Sequence, residues 1–378
     1  MKIAVVGAGL GGCITAMYYG LYNTVDSDVE VTIYHDPDVP IERVGQGTTP
    51  DVLGLIYAAL NNGWYGNNKI KATQKLGILY KDWAKEDIFH PFTPNILSAH
   101  YVPGLLKEEV LKTYKVVEKN IKDPEKEIDA DYIFDCRGKP KDYSDYDTLI
   151  NPINAVVLAR PNWDTSTTLW TRSVATPDGW AFIIPTKVSS GAIGYLYNSD
   201  ITSKEDAESN LLDMFDAEVT NHLNFKSYCA KNPVVDDRIF LNGNRLFFLE
   251  PLEATAVHTY LQWAKDAFTV TCLKKATALD ASAHIISHIK ELQNFILWHY
   301  QFGSKYDTPF WKYASSLKFM DPKFDFILNQ VDELDINEIK FREIVEDNPA
   351  YGAWHRSSLK WWKDGMTIPQ KYAILDSS

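Results

Sequence analysis

An α/β fold is what the sequence predicts, and three observations predict it. A glycine-rich turn near the start joins an apolar strand to a helix. Strand-like segments predominate from Ala155 to Tyr197, and a mostly helical pattern runs onward from Val257. Taken in order, Ile3 to Val6 is a short apolar, β-branched run that reads as a buried strand. It enters Gly7-Ala8-Gly9-Leu10-Gly11-Gly12, then Cys13 to Tyr22 with helical composition, and Val29 to Tyr34 reads as a second strand. Gly7, Gly9 and Gly12 sit on the G-x-G-x-x-G spacing of a dinucleotide-binding βαβ unit. The first glycine permits the tight turn and the second lets backbone approach a pyrophosphate. The third packs helix on strand, and the helix N-terminus faces the phosphates.

At the end of the second strand, Asp36 is the candidate for a ribose hydroxyl, with His35 as an alternative donor and a plain turn before Pro37 as the bland reading. Gly45-Gln46-Gly47-Thr48-Thr49-Pro50 is a further glycine-rich turn leading into a helix from Asp51 to Leu60. Lys107 to Lys122 has helical periodicity and many charges, so a surface helix is expected. Asp131 to Asp135 reads as a third buried strand. Between Ala155 and Tyr197, turns fall at Thr176-Pro177-Asp178-Gly179 and Ser189-Ser190-Gly191. Ser203 has the look of an N-cap, with Glu205 and Asp206 in the first turn of a helix to about Asp216.

Composition narrows the function. The net charge of −12 lacks the basic footprint of a nucleic-acid binder, and Lys119, Lys122 and Lys126 alternate with acids as a solvated face. The four cysteines, Cys13, Cys136, Cys229 and Cys272, lack paired spacing, which fits a reducing cytoplasm better than a disulfide framework. No apolar run approaches membrane-spanning length, so no membrane partner is expected. Aromatic residues reach 13%, with eleven tryptophans, enough for a large aromatic core as well as a pocket for flat molecules. A G-x-S-x-G nucleophile elbow is missing. His284 and His288 share a helical face, but no glutamate follows His284, so a structural role outweighs a metal one and no metal is expected.

Several stretches occur in the order of one known family. Gly179-Trp180-Ala181-Phe182-Ile183-Ile184-Pro185 resembles the G-W-x-W-x-I-P signature of flavin-dependent halogenases of the tryptophan halogenase type, with Phe182 for the second tryptophan. Val44 to Pro50 is similar to its V-G-E-[AG]-T-x-P turn, with Gln46 at the glutamate position. Phe248 to Ala256 resembles F-x-E-P-L-E-S-T-G, with Ala254 and Ala256 departing. Asp307-Thr308-Pro309-Phe310-Trp311 matches D-T-P-F-W, and Ala72 to Trp83 resembles the region of the family's active-site lysine. The resemblance spans roughly residues 1–315.

The resemblance implies an FAD-binding Rossmann-like module of the aromatic monooxygenase type, with an interleaved β-rich substrate part and a helical C-terminal part. Residues 1–315 form the core, with 316–378 a shortened helical part packed on it. It implies FAD, held by Gly7, Gly9, Gly12, Asp36, Gly45, Gln46 and Thr48. Reduced as FADH2, the cofactor reacts with O2 and a halide (chloride, bromide or iodide) to give hypohalous acid. Lys75 matches the lysine that delivers the halogen, as a hydrogen-bond donor or a haloamine. Glu253 matches the carboxylate that orients the halogen and accepts the ring proton. The backbone amides of Thr255 and Ala256 match the halide site, and Ala254 lacks a hydroxyl that supports the pair. His90 and Phe92 match an aromatic substrate edge, and Trp180, Phe182 and Pro185 a tunnel wall. An indole- or phenol-like substrate is expected, and the absence of a second nucleotide fingerprint calls for a separate NADH-dependent flavin reductase. An aromatic hydroxylase and a non-catalytic FAD-binding protein stay open as alternatives, as does the oligomeric state.

Overall fold

The computed structural model describes residues 1–22, 28–41, 46–63, 67–92, 98–187, 191–301, 303–318, 329 and 356–364. Gly45 and the Ser189-Ser190 half of one expected turn lie outside the described residues. Two compact units share the chain. The first comprises residues 1–72, 101–149 and 226–290, and the second 73–100, 150–225 and 291–378. The expected C-terminal part, 316–378, falls within the second unit.

The first unit is built on a six-stranded sheet in the order β17 (Val234–Val235), β18 (Ile239–Leu241), β9 (Tyr132–Asp135), β1 (Lys2–Val6), β2 (Glu30–His35), β8 (Lys115–Glu118). All neighbours are parallel except β17 with β18. Alternation along the strands divides the two faces. Ala4, Val6 and Ile133 pack with Ile121 and Ile128 on one. On the other, helix α1 (Leu10–Leu21) places Tyr19 against Phe134, which stacks on Phe240 at 5.3 Å. Helices α2 (Pro50–Leu60), α3 (Pro103–Thr113), the single turn α4 (Pro124–Glu127) and α6 (Thr255–Thr271) belong to this unit, with β3 (Gln46–Gly47) leading into α2. A small antiparallel sheet, β10 (Tyr146–Thr148), β16 (Tyr228–Ala230) and β19 (Phe247–Phe248), completes it.

One expectation is corrected here. The helix expected from Lys107 to Lys122 ends at Thr113, and Lys115–Glu118 is the edge strand β8. Tyr114 turns the backbone extended, and the adjacent β-branched Val116 and Val117 then pair with Ile33 and Tyr34. Elsewhere the reading agrees: the first two strands, α1, α2, β9 and the Ser203-capped α5 (Lys204–Met214) form where expected.

The second unit carries a seven-stranded sheet: β15 (Ala217–Asn224), β11 (Ala155–Pro161), β14 (Ala192–Tyr197), β13 (Gly179–Ile184), β12 (Thr171–Thr176), β5 (Gly77–Lys81), β6 (Ile88–Pro91). One face packs Val157, Ala181, Ile183 and Tyr195 under Ala207 and Leu211 of α5. Trp180, two residues from Phe182 along β13, joins Trp83, which also touches Tyr300, Trp311 and Trp362. These aromatic residues account for much of the tryptophan excess as core. β4 (Thr73–Lys75) pairs antiparallel with β7 (Ser98–Tyr101), Lys75 opposite Ser98. Helix α7 (Ala278–Gln301) runs across the division of the chain, and α8 (Pro309–Ser316) is capped by Thr308.

Candidate active site

The three motif glycines do different work. Gly7 adopts φ +106°, and a Cβ there would come within 2.5 Å of the Cys136 carbonyl oxygen. A Cβ on Gly12 would run into the Gly7 carbonyl oxygen. Packing of the protein itself therefore requires both. Gly9 is otherwise: its φ is −72°, open to any residue, and a Cβ would meet nothing within 4 Å. It is the N-cap of α1 without a side-chain cap bond, and the first turn holds no acid. Bare amides at a helix start, with open space where a side chain would stand, fit a pyrophosphate.

At the far end of β2 the two candidates are used unequally. Asp36 accepts from Asn120 Nδ2 at 2.6 Å and from the Asp38 amide at 3.0 Å, closing its own turn. His35 is buried, and its Nδ1 has no hydrogen-bond partner among the described residues. An orphaned buried nitrogen beside the strand end is the group with capacity left for a ribose hydroxyl. Gln46 is half-buried at the start of β3 and Thr48 is buried. The cofactor residues described here fit FAD.

In the same unit, Glu253 and Ala254 adopt left-handed backbone, φ +69° and +53°, immediately before α6. Two consecutive non-glycine residues in this region are costly and turn the chain sharply into the helix. The α6 start has no side-chain cap and no acid in its first turn, so the amides of Thr255 and Ala256 sit at an uncapped positive helix end. The Thr255 hydroxyl is buried with no hydrogen-bond partner among the described residues. Glu253 and Ala256 are half-buried. Asn242 ties this helix to α1, its Nδ2 reaching Thr15 Oγ1 at 2.9 Å and the Tyr260 carbonyl at 3.2 Å.

The second unit gathers Lys75, His90 and Phe92. Lys75 is 3% exposed, rare for lysine, and its Nζ lies 5.3 Å from the Phe92 ring centroid. Leu76 fixes the position: its amide donates to the Leu169 carbonyl, and its carbonyl accepts from the Phe92 amide at 2.9 Å. His90 is buried, its ring edge-on to Phe92 at 6.2 Å. Across from Thr73 stands His100, fully buried, its Nε2 2.8 Å from Thr171 Oγ1. Burial and then the Lys75 charge hold His100 well below the ordinary histidine range, and hence neutral. Trp180, Phe182 and Pro185 are buried along and just after β13, with the Phe182 ring filling the space a side chain at Gly194 would need.

Sequence reasoning missed Asn242, His100 and Asp51. None lies in a motif, and each becomes visible only through the partner the fold supplies. The histidine pair of α7 has local partners: His284 Nδ1 lies 2.8 Å from Asp266, and His288 Nε2 lies 3.4 Å from Thr259 Oγ1. Among the described residues no group of three His, Cys, Asp or Glu side chains is placed to hold a metal, and no helix is long and apolar enough to cross a membrane.

The tryptophan halogenase family model matches residues 2–104 and 105–334. The chain is 21% identical over 431 residues to tryptophan 7-halogenase RebH from Lentzea aerocolonigenes, covering 85% of this chain and 80% of that protein. Its fold is similar to the crystal structure of the tryptophan 5-halogenase MibH, with a TM-score of 0.78 and 17% identity over 97% of this chain and 86% of that one. It is also similar to Xcc4156, a flavin-dependent halogenase from Xanthomonas campestris, with a TM-score of 0.77 and 15% identity over 99% and 91%.

Proposed function

Because the chain belongs to the tryptophan halogenase family, a family of flavin-dependent enzymes, we propose that it halogenates an electron-rich indole- or phenol-like aromatic through Lys75, using reduced FAD, O2 and halide. The observation that carries this reading is the buried ammonium of Lys75 over the Phe92 ring, with buried His90 edge-on to the same ring. A buried lysine beside aromatic side chains sets a hydrogen-bond donor for a polar halogen source next to a surface that suits a flat substrate.

Gly9 and the α1 amides hold the pyrophosphate of FAD, His35 or Asp36 the ribose, and the Gln46–Thr48 turn its flavin side. When bound in reduced form, the cofactor supplies oxygen activation and halide oxidation. Halide is assigned to the amides of Thr255 and Ala256, where the open helix end favours an anion. Lys75 donates hydrogen bonds to hypohalous acid, polarising its oxygen–halogen bond so that halogen passes to a ring carbon. The ring proton is taken up by the Glu253 carboxylate, and the departing hydroxide takes one proton from the Lys75 ammonium to leave as water; proton exchange with solvent then restores both side chains. Trp180, Phe182 and Pro185 are assigned to the wall separating substrate from oxidant. A separate NADH-dependent flavin reductase supplies the electrons.

The test is a reconstituted reaction. Protein, FAD, NADH, a flavin reductase and air are combined with chloride, bromide or iodide and a panel of indoles and phenols, and products are read by mass spectrometry. Halogenated product that needs both the reductase and a halide is expected. Ring hydroxylation independent of halide, with NADH consumed by the chain alone, would establish the hydroxylase alternative instead.

A further inference from the structure

We infer that Asp51 and His258 form a positioning pair, which sets the halide affinity of the α6 start and ties it to the flavin-side turn; this rests on the halide assignment just made. Asp51 lies two residues beyond Thr49 at the start of α2, and His258 lies three residues beyond Thr255 in α6. The Asp51 carboxylate is divided between these two places. Its Oδ1 accepts from Thr49 Oγ1 at 2.6 Å and from the Val52 amide at 3.0 Å. Its Oδ2 lies 3.0 Å from His258 Nδ1 and 3.6 Å from Lys265 Nζ. Burial alone would raise the Asp51 carboxyl. The hydrogen bond and charge of His258, then Thr49 and Lys265, override this and hold it far below the ordinary carboxylate range. Asp51 is therefore a fixed negative charge in contact with His258, which itself stands within one helical turn of Thr255 and Ala256. The His288 ring of α7 also stands near this pair, 6.0 Å from the His258 ring.

An uncompensated carboxylate there would repel an anion at the helix start. Lys265 and the close contact of His258 Nδ1 offset it, while Thr49 gives the same carboxylate a hold on the turn that carries Thr48. The two members of the pair consequently have different signatures. Removing His258 exposes the negative charge to the halide. Removing the whole Asp51 carboxylate spares the halide and releases Thr49.

The experiment uses the oxidised, FAD-loaded protein. Chloride is titrated against flavin absorbance for its dissociation constant, and FAD affinity and melting temperature are measured on the same samples. His258→Gln should weaken chloride about tenfold while FAD affinity changes by no more than about twofold. Asp51→Ala should weaken FAD and leave chloride as tight or tighter. Lys265→Gln, at a partly exposed position that folding tolerates, should weaken chloride by a smaller factor of the same sign, so the inference stands or falls even if His258→Gln does not fold. Lower melting temperatures with both affinities unchanged would make the pair structural and overturn the inference. If the parent protein shows no chloride-dependent change at all, the halide assignment fails and takes this inference with it.

Discussion

The Lys75 ammonium stands 5.3 Å from the centre of the Phe92 ring, and the backbone of Leu76, between them in sequence, binds both Leu169 and Phe92. The backbone on either side of the lysine is thus held by strand hydrogen bonds within its own unit. Lys75→Ala should bind FAD normally and still reoxidise reduced FAD in air, yet form no halogenated product. Single-turnover flavin absorbance with product mass spectrometry on the same samples checks this. Halogenation at the parent rate would return Lys75 to the status of an ordinary buried lysine.

The motif glycines separate folding from binding. Gly12→Ala forces a methyl onto the Gly7 carbonyl and should destabilise the protein by at least about 1–3 kcal/mol, read by chemical denaturation. Gly9→Val meets no protein atom near its Cβ, so the protein should fold and melt near the parent temperature while losing FAD. Unchanged FAD affinity in folded Gly9→Val would move the pyrophosphate elsewhere.

His35 and Asp36 are distinguished by what they already bind. His35→Leu should cost FAD affinity about fivefold, the worth of one hydrogen bond of roughly 1 kcal/mol. Asp36→Asn should change it less, because Asn120 and the Asp38 amide already occupy the carboxylate. Isothermal titration of the two variants decides which residue meets the ribose.

Glu253→Gln keeps the shape and hydrogen-bonding capacity of the side chain while removing the proton acceptor. Halogenation should fall about 10²–10⁴-fold, the usual loss for a general base, with FAD affinity retained. Rapid-quench product analysis measures the step. A parallel loss of flavin and thermal stability would instead mark Glu253 as a structural carboxylate.

His100 makes the second unit sensitive to mild acid. Its folded pKa is depressed, first by burial and then by Lys75. Above the unfolded histidine value, about 6.5, both states are neutral and the full stability is present. As pH falls below that value the unfolded chain takes up a proton that the folded one refuses, and stability is lost. Denaturation midpoints should therefore drop between about pH 7 and pH 5.5. His100→Asn should flatten the slope; an unaltered slope would assign it to other groups.

Much of the fold was legible because its signals are local. The β1–α1–β2 unit declares itself through glycines whose absence of side chains is a packing requirement at Gly7 and Gly12. Ser203 caps its helix by accepting from the Asp206 amide, a signal four residues long. The strand at Lys115–Glu118 was hidden because its charged ends continue a helical charge pattern, and only pairing with β2 decides its conformation. Lys75 and Phe92 were legible as candidates through motif resemblance, and the fold brings them together. His100, Asn242 and the Asp51–His258 pair were not, since each depends on a residue more than twenty positions away.

The interleaving of the two units bears on how the chain reaches its native state. It passes between them five times, at 72/73, 100/101, 149/150, 225/226 and 290/291. The central strand β1 is made first, yet one neighbour of β9 in that sheet, Ile239–Leu241, leaves the ribosome more than two hundred residues later. Neither unit exists as a continuous gene fragment, so neither offers a simple truncation product. High contact order of this kind slows folding and leaves parallel strand edges open during synthesis. Expression at reduced temperature or with chaperones should favour soluble protein.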